Sequence, residues 1–436
     1  MTARKSAIEI AKQLINAGYT TYLAGGCVRD ELRGKTPKDY DLATSATPDQ
    51  VTTIFPKANC VGAHFGVVIA KLNGHHIEIA TFRTDGSYAD SRRPDSVTFS
   101  TPEDDAQRRD FTINGLFQHP LSGEIIDCVG GRDDLRNQLI RAIGNPDDRF
   151  REDALRLLRA VRFAATLDFQ IDPSTWDAVC KFAPSLSKIA IERIRDEFSR
   201  MLLSSNRARA LQLLTDSGLL KTFLPEIYDL IDCTQPPQWH PEGDVFTHTR
   251  MVLDALGESP SLELCLAGLL HDIAKPPTRS VDQPDGRIRF NGHDKLGAKM
   301  ATEILRRLKY PNRVIDAVTA MIARHMQFMH VQNMRTAKLK RFMFAPTFPD
   351  ELTLHLADCR SSNGFTENYD FLIRKRDEFA AEPIIPKPFL TGRDLIDHGF
   401  TPGPQFKKIL NTAQTEQLEG RLKSREDALQ WLRQQG

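Results

Sequence analysis

The spacing of apolar residues changes once along this chain, near Asp147, and that change limits the folds open to it. Before it, short β-branched runs alternate with helical stretches. Ile8, Ala11 and Ile15 recur at helical spacing ahead of Asn16 and Gly18, which can end a helix. "TTYLAGG" reads as a strand entering a glycine turn, and "CVRDELRG" as the following helix. "FGVVIAKL" and "HIEIATFR" are joined through Asn73-Gly74, a dipeptide suited to the positive φ angles of a two-residue hairpin. After Asp147 the pattern is helical almost throughout. "EDALRLLRAVRFAATL" predicts a helix with Leu155, Leu158, Val161 and Ala165 on one stripe and arginines on the neighbouring faces. The expectation is an α+β head over 1–146, followed by all-α segments over 147–232, 233–380 and 381–436. The internal boundaries fall at the proline- and polar-rich "DCTQPPQWHPEGD" and "AAEPIIPKPFL".

Length and composition exclude several classes. A chain of 436 residues is long enough for roughly three domains with cores of their own. Its longest apolar stretches, such as "LCLAGLL", fall far short of the ~20 residues of a membrane span, so no membrane partner is expected. No stretch near the start has the basic head, apolar core and small-residue cleavage site of an export signal. Seven scattered cysteines without a CxxC pair suit a reducing, cytoplasmic compartment. The net charge of +1 neither favours nor excludes a nucleic-acid partner, because phosphate contacts depend on local clusters; Arg83 to Arg162 is one arginine-rich stretch.

The chemistry begins with carboxylates. "KDYDLAT" places Asp39 and Asp41 two residues apart, on one face if the segment is extended. Two like charges so close are costly unless a cation lies between them, and hard oxygen ligands favour Mg²⁺. Glu78, on the second strand of the Asn-Gly hairpin, alternates with the apolar Ile77 and Ile79, which leaves it on the opposite face as a third carboxylate. Such a set can hold two metals that activate a hydroxyl and stabilise a leaving pyrophosphate. Alone, an Asp-x-Asp is more often a solvated turn. Here it follows Gly25 and Gly26 at a strand-to-helix turn, where the backbone can approach phosphate oxygens and Arg29 adds positive potential.

"LAGGCVRD", "KDYDLAT", "RRDFTING" and "EDALRLLRAVRF" occur in the order found in class II tRNA nucleotidyltransferases, and the first half of the chain resembles that family densely. These enzymes share their head with bacterial poly(A) polymerases, within the polymerase-β nucleotidyltransferase superfamily. The resemblance implies a polymerase-β-type nucleotidyltransferase head followed by helical neck, metal-binding and tail domains. It also implies that Asp39 and Asp41 are the catalytic metal-binding pair, that Glu78 joins them, and that CTP, ATP and a tRNA 3′ end are the partners. Arg109, Asp110 and Asn114 resemble the ribose- and phosphate-binding segment, and Gly115 stands where many members carry alanine.

The family adds CCA without a nucleic-acid template, so protein groups must choose the base. The resemblance makes Asp153 and Arg156, three apart on the predicted helix, the base-reading pair. Cytosine and adenine both present an exocyclic amine beside a ring-nitrogen acceptor. A carboxylate accepts from the first and a guanidinium donates to the second, whereas guanine and uracil leave both groups unpaired. By spacing alone the pair is more often an ordinary i, i+3 salt bridge. Arg159 and Arg162 extend the same helix and are expected to hold triphosphate or to brace that face. The polar segment between Arg83 and Arg108 resembles the flexible loop these enzymes use in switching from C to A. Its full length argues against addition of CC alone, and leaves addition of A alone and poly(A) synthesis as alternatives.

The second helical block contains His248, His271-Asp272, His293, His325 and Asp358, a histidine and carboxylate set suited to a divalent transition metal. The pattern resembles the HD phosphohydrolases, in which such sets hold one or two metals and activate water. His240 in "WHPEGD" is a weaker candidate. Some tRNA nucleotidyltransferases carry an HD domain with phosphatase or cyclic phosphodiesterase activity, which implies Mn²⁺, Ni²⁺, Co²⁺ or Fe²⁺ at this site and a role in RNA end repair. A rival reading makes this hydrolase the main activity and the head an RNA-binding module. The tail "LTGRDLIDHGFTPGPQFKKIL" resembles that of HD-containing members, with Lys407 and Lys408 as candidate backbone contacts.

Overall fold

The computed structural model describes residues 2–60, 65–86, 96–284, 286–379 and 385–435. The chain divides into two compact units, Met1–Pro225 and Glu226–Gly436.

The first unit is built on a six-stranded sheet. Its strands are β1 (Thr21–Ala24), β2 (Asp41–Thr44), β3 (Val67–Leu72), β4 (His75–Thr81), β7 (Leu116–Gln118) and β8 (Ile125–Asp127), in the spatial order β3-β4-β2-β1-β7-β8. A separate ribbon pairs β5 (Arg83–Asp85) with β6 (Val97–Phe99). The β3–β4 hairpin turns at Asn73 and Gly74, whose φ angles are 51° and 82°, as a two-residue turn of this hand requires. Strand β2 runs parallel to β4, with Asp41 opposite Glu78, Leu42 opposite Ile79 and Ala43 opposite Ala80. Leu42, Ile77 and Ile79 are each 1% exposed and pack with Ile10 and Leu14 of the helix Ala3–Asn16 and Val51 of the helix Pro48–Ile54. Because side chains alternate across a strand, burying Leu42 and Ile79 on that face turns Asp41 and Glu78 to the other.

Helical segments follow. The stripe Leu155, Leu158, Val161 and Ala165 is buried as expected, but the predicted helix is two helices. One runs Pro146–Glu152 and the next Leu155–Leu167, and Asp153 between them is extended, with φ −140° and ψ 104°. The Asp153 carboxylate accepts the Leu155 amide at 3.0 Å. A short acid that bonds the backbone locally favours a cap over a helix interior, which accounts for the break. In the polar segment before Arg108, β5 and β6 pair and Pro102–Gln107 is helical behind a Thr101 cap; residues 87–95 of the expected loop lie outside the described residues.

Among its described residues the second unit is mostly helical, with a ribbon of Arg279–Val281 paired with Ile288–Phe290. Its last three helices, Gly392–Asp397, Pro404–Leu418 and Arg425–Arg433, close a small core of Leu395, Ala413, Ala428 and Leu432. Lys407 and Lys408 are exposed on the middle one. No helix of the described residues is long and apolar enough to cross a membrane.

Candidate functional site

Strand β1 ends at Ala24 and the chain turns at Gly25, whose φ of +69° is open to glycine and costly for other residues. A Cβ there would meet the Arg109 guanidinium at 3.0 Å. The glycine pair, Arg29, Asp41, Glu78, Arg109, Asp110, Asn114, Asp153, Arg156, Arg159 and Arg162 all line one cleft of about 580 Å³. Asp39 is the exception. It precedes the strand instead of lying in it, and is exposed.

The Asp41 carboxyl is reached by water but sits in a concavity. Enclosure by protein atoms, then the charges of Glu78 and Asp39, raise its pKa to about 6 against the opposing pull of Arg109. Carboxylates crowded together are costly unless a cation lies among them, so the three acids fit a divalent metal.

The opposite wall is cationic and cross-linked. Arg29 Nη1 donates to Asn114 Oδ1 at 2.7 Å, Asn114 Nδ2 donates to Asp110 Oδ1 at 3.0 Å, and Arg159 Nε donates to Asp110 Oδ2 at 2.7 Å. Burial alone would raise the Asp110 carboxyl; Arg159, Asn114 and Arg156 outweigh it and hold the pKa at about 2. Asp110 is therefore a fixed anion that orders cations, and no proton donor. Arg109 is tied to Asp105 at 2.9 Å and to the Asn114 carbonyl at 3.3 Å. Gly115 is explained here as well, since a Cβ would approach Val129 to 2.6 Å.

Asp153 and Arg156 do not form the i, i+3 salt bridge. Arg156 donates to Glu152 at 2.6 Å and to the carbonyls of Arg149 and Arg108 at 3.1 and 2.9 Å, while Asp153 meets Arg193 at 3.3 Å. Each is anchored by a third party, and both face the cleft. Arg193, outside every motif, and Phe163, the last residue of "EDALRLLRAVRF" but not singled out within it, also stand in the cleft wall. The guanidinium groups of Arg29, Arg159 and Arg162 lie 5.3, 5.3 and 4.0 Å from the Phe163 ring centroid, and Arg162 also pairs with the buried Glu197. Such cation–π contacts hold like charges together beside an apolar ring.

In the second unit the six predicted metal ligands converge. His248 Nε2 is 3.0 Å from Asp358, His271 Nε2 is 3.1 Å from Asp272, and His293 Nε2 is 3.5 Å from the other Asp272 oxygen. Among the described residues three triads could hold an ion: His248–His271–Asp358, Asp272–His293–His325 and, sharing His248 with the first, His240–Glu242–His248. The Nδ1 atoms of His271, His293 and His325 sit 2.9, 2.7 and 2.6 Å from the carbonyls of Gly268, Phe290 and Ile322. Those carbonyls accept, so each Nδ1 carries a proton, which leaves Nε2 as the nitrogen placed to ligate a metal. The Nε2 atoms of His293 and His325 then face one another at 3.1 Å. Burial, with His271 beside it, lowers the His325 pKa to about 4, so the His325 ring is neutral near pH 7 and its Nε2 offers a lone pair. Buried His248 Nε2 and His271 Nε2 have close neighbours but no hydrogen bond of good geometry. Imidazole nitrogens and carboxylate oxygens gathered within ligand distance of one another fit a divalent cation.

Three neighbours of this cluster lacked a signal strong enough to read in sequence. Glu242 accepts from His248 Nδ1 at 2.7 Å and from His240 Nδ1 at 2.8 Å. Lys275 pairs with Asp272 at 2.7 Å. His355 stacks on Phe328 at 4.5 Å and lines the same cavity. His240 thus reaches the cluster through Glu242 and stands outside the six converging groups.

The comparisons with known proteins follow the same division. Residues 21–141 match the family model "Poly A polymerase head domain", 168–230 match "Probable RNA and SrmB- binding site of polymerase A", and 244–354 match "HD domain". The chain is 34% identical to a CCA-adding enzyme of Geobacillus thermodenitrificans, over 98% of this chain and 96% of that one. It is 32% identical to a CCA-adding enzyme of Lactobacillus helveticus, over 97% and 95%. Its structure superposes on the Bacillus stearothermophilus CCA-adding enzyme in complex with CTP with a TM-score of 0.78 at 30% identity, covering 100% of this chain and 98% of the other. The Thermotoga maritima CCA-adding enzyme complexed with tRNA shares the fold, with a TM-score of 0.62 at 19% identity over 98% and 93%. End-to-end similarity of this degree, together with a carboxylate-lined cleft and a histidine cluster where the matching domains lie, means that the chain belongs to the family of CCA-adding enzymes.

Proposed function

We propose that this protein adds C, C and A to tRNA 3′ ends from CTP and ATP, without a nucleic-acid template, in the cleft of its first unit. The observation that carries the reading is the pairing of Asp41 with Glu78 across β2 and β4, which aims two carboxylates into a cleft whose other wall is cationic. In the reaction the terminal ribose oxygen bonds to the α-phosphorus, the bond to the β-phosphate breaks, and pyrophosphate leaves. Mg²⁺ held by Asp39, Asp41 and Glu78 would favour the ionised hydroxyl and neutralise charge on the departing phosphates. The chain's own groups do the rest. Arg109, Arg159 and Arg162 orient the triphosphate, and Gly25 lets it approach the backbone. Asp153 accepts from the base amine while Arg156, fixed by Glu152 and two carbonyls, donates to the ring nitrogen. The seven free cysteines suit a reducing cytoplasm.

The test uses tRNAs truncated at successive 3′ positions, supplied with CTP and ATP separately and together. Sequential gain of C, C and A is expected. A product that gains only A, even when all of CCA is missing, would instead establish an A-adding or poly(A)-forming enzyme.

A second activity is supported by the facing Nε2 atoms of His293 and His325. We propose that the histidine set binds a divalent transition metal, among Mn²⁺, Ni²⁺, Co²⁺ and Fe²⁺, and hydrolyses 2′-, 3′- or cyclic phosphates at RNA ends. Water oxygen bonds to phosphorus, the ester P–O bond breaks, and the ribose oxygen takes the proton. A metal bound there supplies the activated water. Asp272 and Asp358 orient it, and Lys275 adds positive charge beside the phosphate. Absence of phosphate release with any of these metals would remove this activity and leave the first intact.

A further inference from the structure

The cavity above the histidine cluster opens to a mouth that neither proposed reaction requires. Its rim carries Trp239 and Phe365, 44% and 56% exposed, with ring centroids 6.4 Å apart and planes at 75°. Each is set by its own turn. The Trp239 amide donates to the Pro236 carbonyl at 3.0 Å. The Phe365 amide donates to Asn363 Oδ1 at 2.9 Å, one residue after Gly364, whose φ is +78° and whose amide donates to the Cys359 carbonyl near the end of the helix Phe348–Arg360 that bears Asp358. Two large rings held open to water beside a charged cluster are costly unless something covers them in use.

The rest of the cavity indicates what covers them. It encloses about 580 Å³, and Lys275, Arg287 and Arg289 share its walls with Asp272, His293, His325 and Asp358. Sites for ligands of nucleotide size run about 300–1,000 Å³, and a phosphate alone would leave most of this space unfilled. The charged floor suits a phosphate and the aromatic rim a flat, apolar-faced group. A base stacked on one ring would meet the edge of the other.

We propose that Trp239 and Phe365 form a nucleobase platform, so that the histidine site takes a nucleoside 2′- or 3′-phosphate with its base at the mouth and its phosphate at the floor. The proposal rests on the hydrolytic reading above for its chemistry, though not for its binding. The platform discriminates by requiring a base and tolerates any base, since every base has a π face.

The experiment compares adenosine 3′-phosphate, a 3′-phosphorylated oligoribonucleotide and glycerol 2-phosphate on the metal-loaded full chain and on Trp239→Ala and Phe365→Ala. Each substitution is expected to lower the kcat/KM ratio of the adenosine substrate to glycerol 2-phosphate about tenfold, with the loss in KM and not in kcat. Trp239→Phe should restore most of it. A ratio to glycerol 2-phosphate that moves for neither base-bearing substrate, or equal losses on all three substrates, overturns the platform. An effect confined to the oligoribonucleotide assigns the base to an RNA end, and one confined to the mononucleotide assigns it to a free nucleotide. Trp239 fluorescence supplies a readout independent of turnover. The quench by adenosine 3′-phosphate, taken as the difference between the unmodified chain and Trp239→Phe, should exceed that by inorganic phosphate. Equal quenching overturns the proposal even if hydrolysis occurs, whereas unequal quenching without hydrolysis sustains the platform and removes only the hydrolytic reading.

Discussion

Replacing Asp41 by asparagine should end nucleotide transfer while making the metal-free protein more stable. Asp41 stands opposite Glu78 in the sheet, and enclosure together with Glu78 and Asp39 lifts its pKa from 3.8 to about 6. A raised carboxyl costs nothing while it is protonated in both the folded and the unfolded chain, below the unfolded value of 3.8. The cost grows as pH rises through the window between the two values and is complete above about 6. A shift of about two units at about 1.36 kcal/mol each sets a ceiling of about 3 kcal/mol. Water reaches the carboxyl, and screening reduces the figure to about 1 kcal/mol. For a unit of this size that corresponds to melting about 2–4 °C higher. The assay is thermal unfolding in EDTA of the unmodified chain and Asp41→Asn, near neutrality and again at about pH 4.5, where the gain should shrink. Adding Mg²⁺ should reverse the order, because only the unmodified site gains from binding. Transfer should fall by roughly a thousandfold or more, as expected for several kcal/mol of lost metal assistance. A variant that is no more stable in EDTA, or whose gain is the same at both pH values, refutes the reasoning.

Three further outcomes are expected. Asp153→Ala removes the acceptor for the base amine and the cap on Leu155. It should cost about 1 kcal/mol of stability and lower the preference for CTP and ATP over GTP and UTP by about tenfold or more, and an unchanged preference in single-nucleotide incorporation would exclude Asp153 as a base reader. Gly25→Ala imposes a side chain at φ +69° and at 3.0 Å from Arg109. It should cost about 1–3 kcal/mol and raise KM for both nucleotides, which denaturant unfolding and steady-state kinetics read separately. Asp272→Asn should abolish phosphate release and lower the transition metal retained after dialysis, while the folded variant transfers nucleotides at the original rate; parallel loss of both activities would contradict separate sites.

Asp41 shows why part of this molecule was readable before it was folded. A strand has a period of two, so Ile77, Glu78 and Ile79 in sequence determine which side Glu78 takes once one face is buried. Asn73-Gly74 determines the hairpin for a similarly local reason, the positive φ angles its turn demands. The histidine set was legible because four histidines and two aspartates in one helical block are a chemical inventory that needs no geometry to notice. Other features depend on contacts between residues far apart in the chain, and local spacing is blind to them. The parallel pairing that places Asp41 against Glu78 joins strands 37 positions apart, as the register Asp41↔Glu78 gives. Asp153 and Arg156 looked like partners at helical spacing, yet the helix breaks at Asp153 and each finds another partner, Arg193 and Glu152. Nothing in the spacing of Phe163 announces that three arginines gather around its ring. The sequence by itself determined the alternation of strands, the order of domains and the chemical groups available. Only the tertiary structure decided which groups share a cleft, because pairing over long separations is set by what packs and which charges find partners, and not by spacing along the chain.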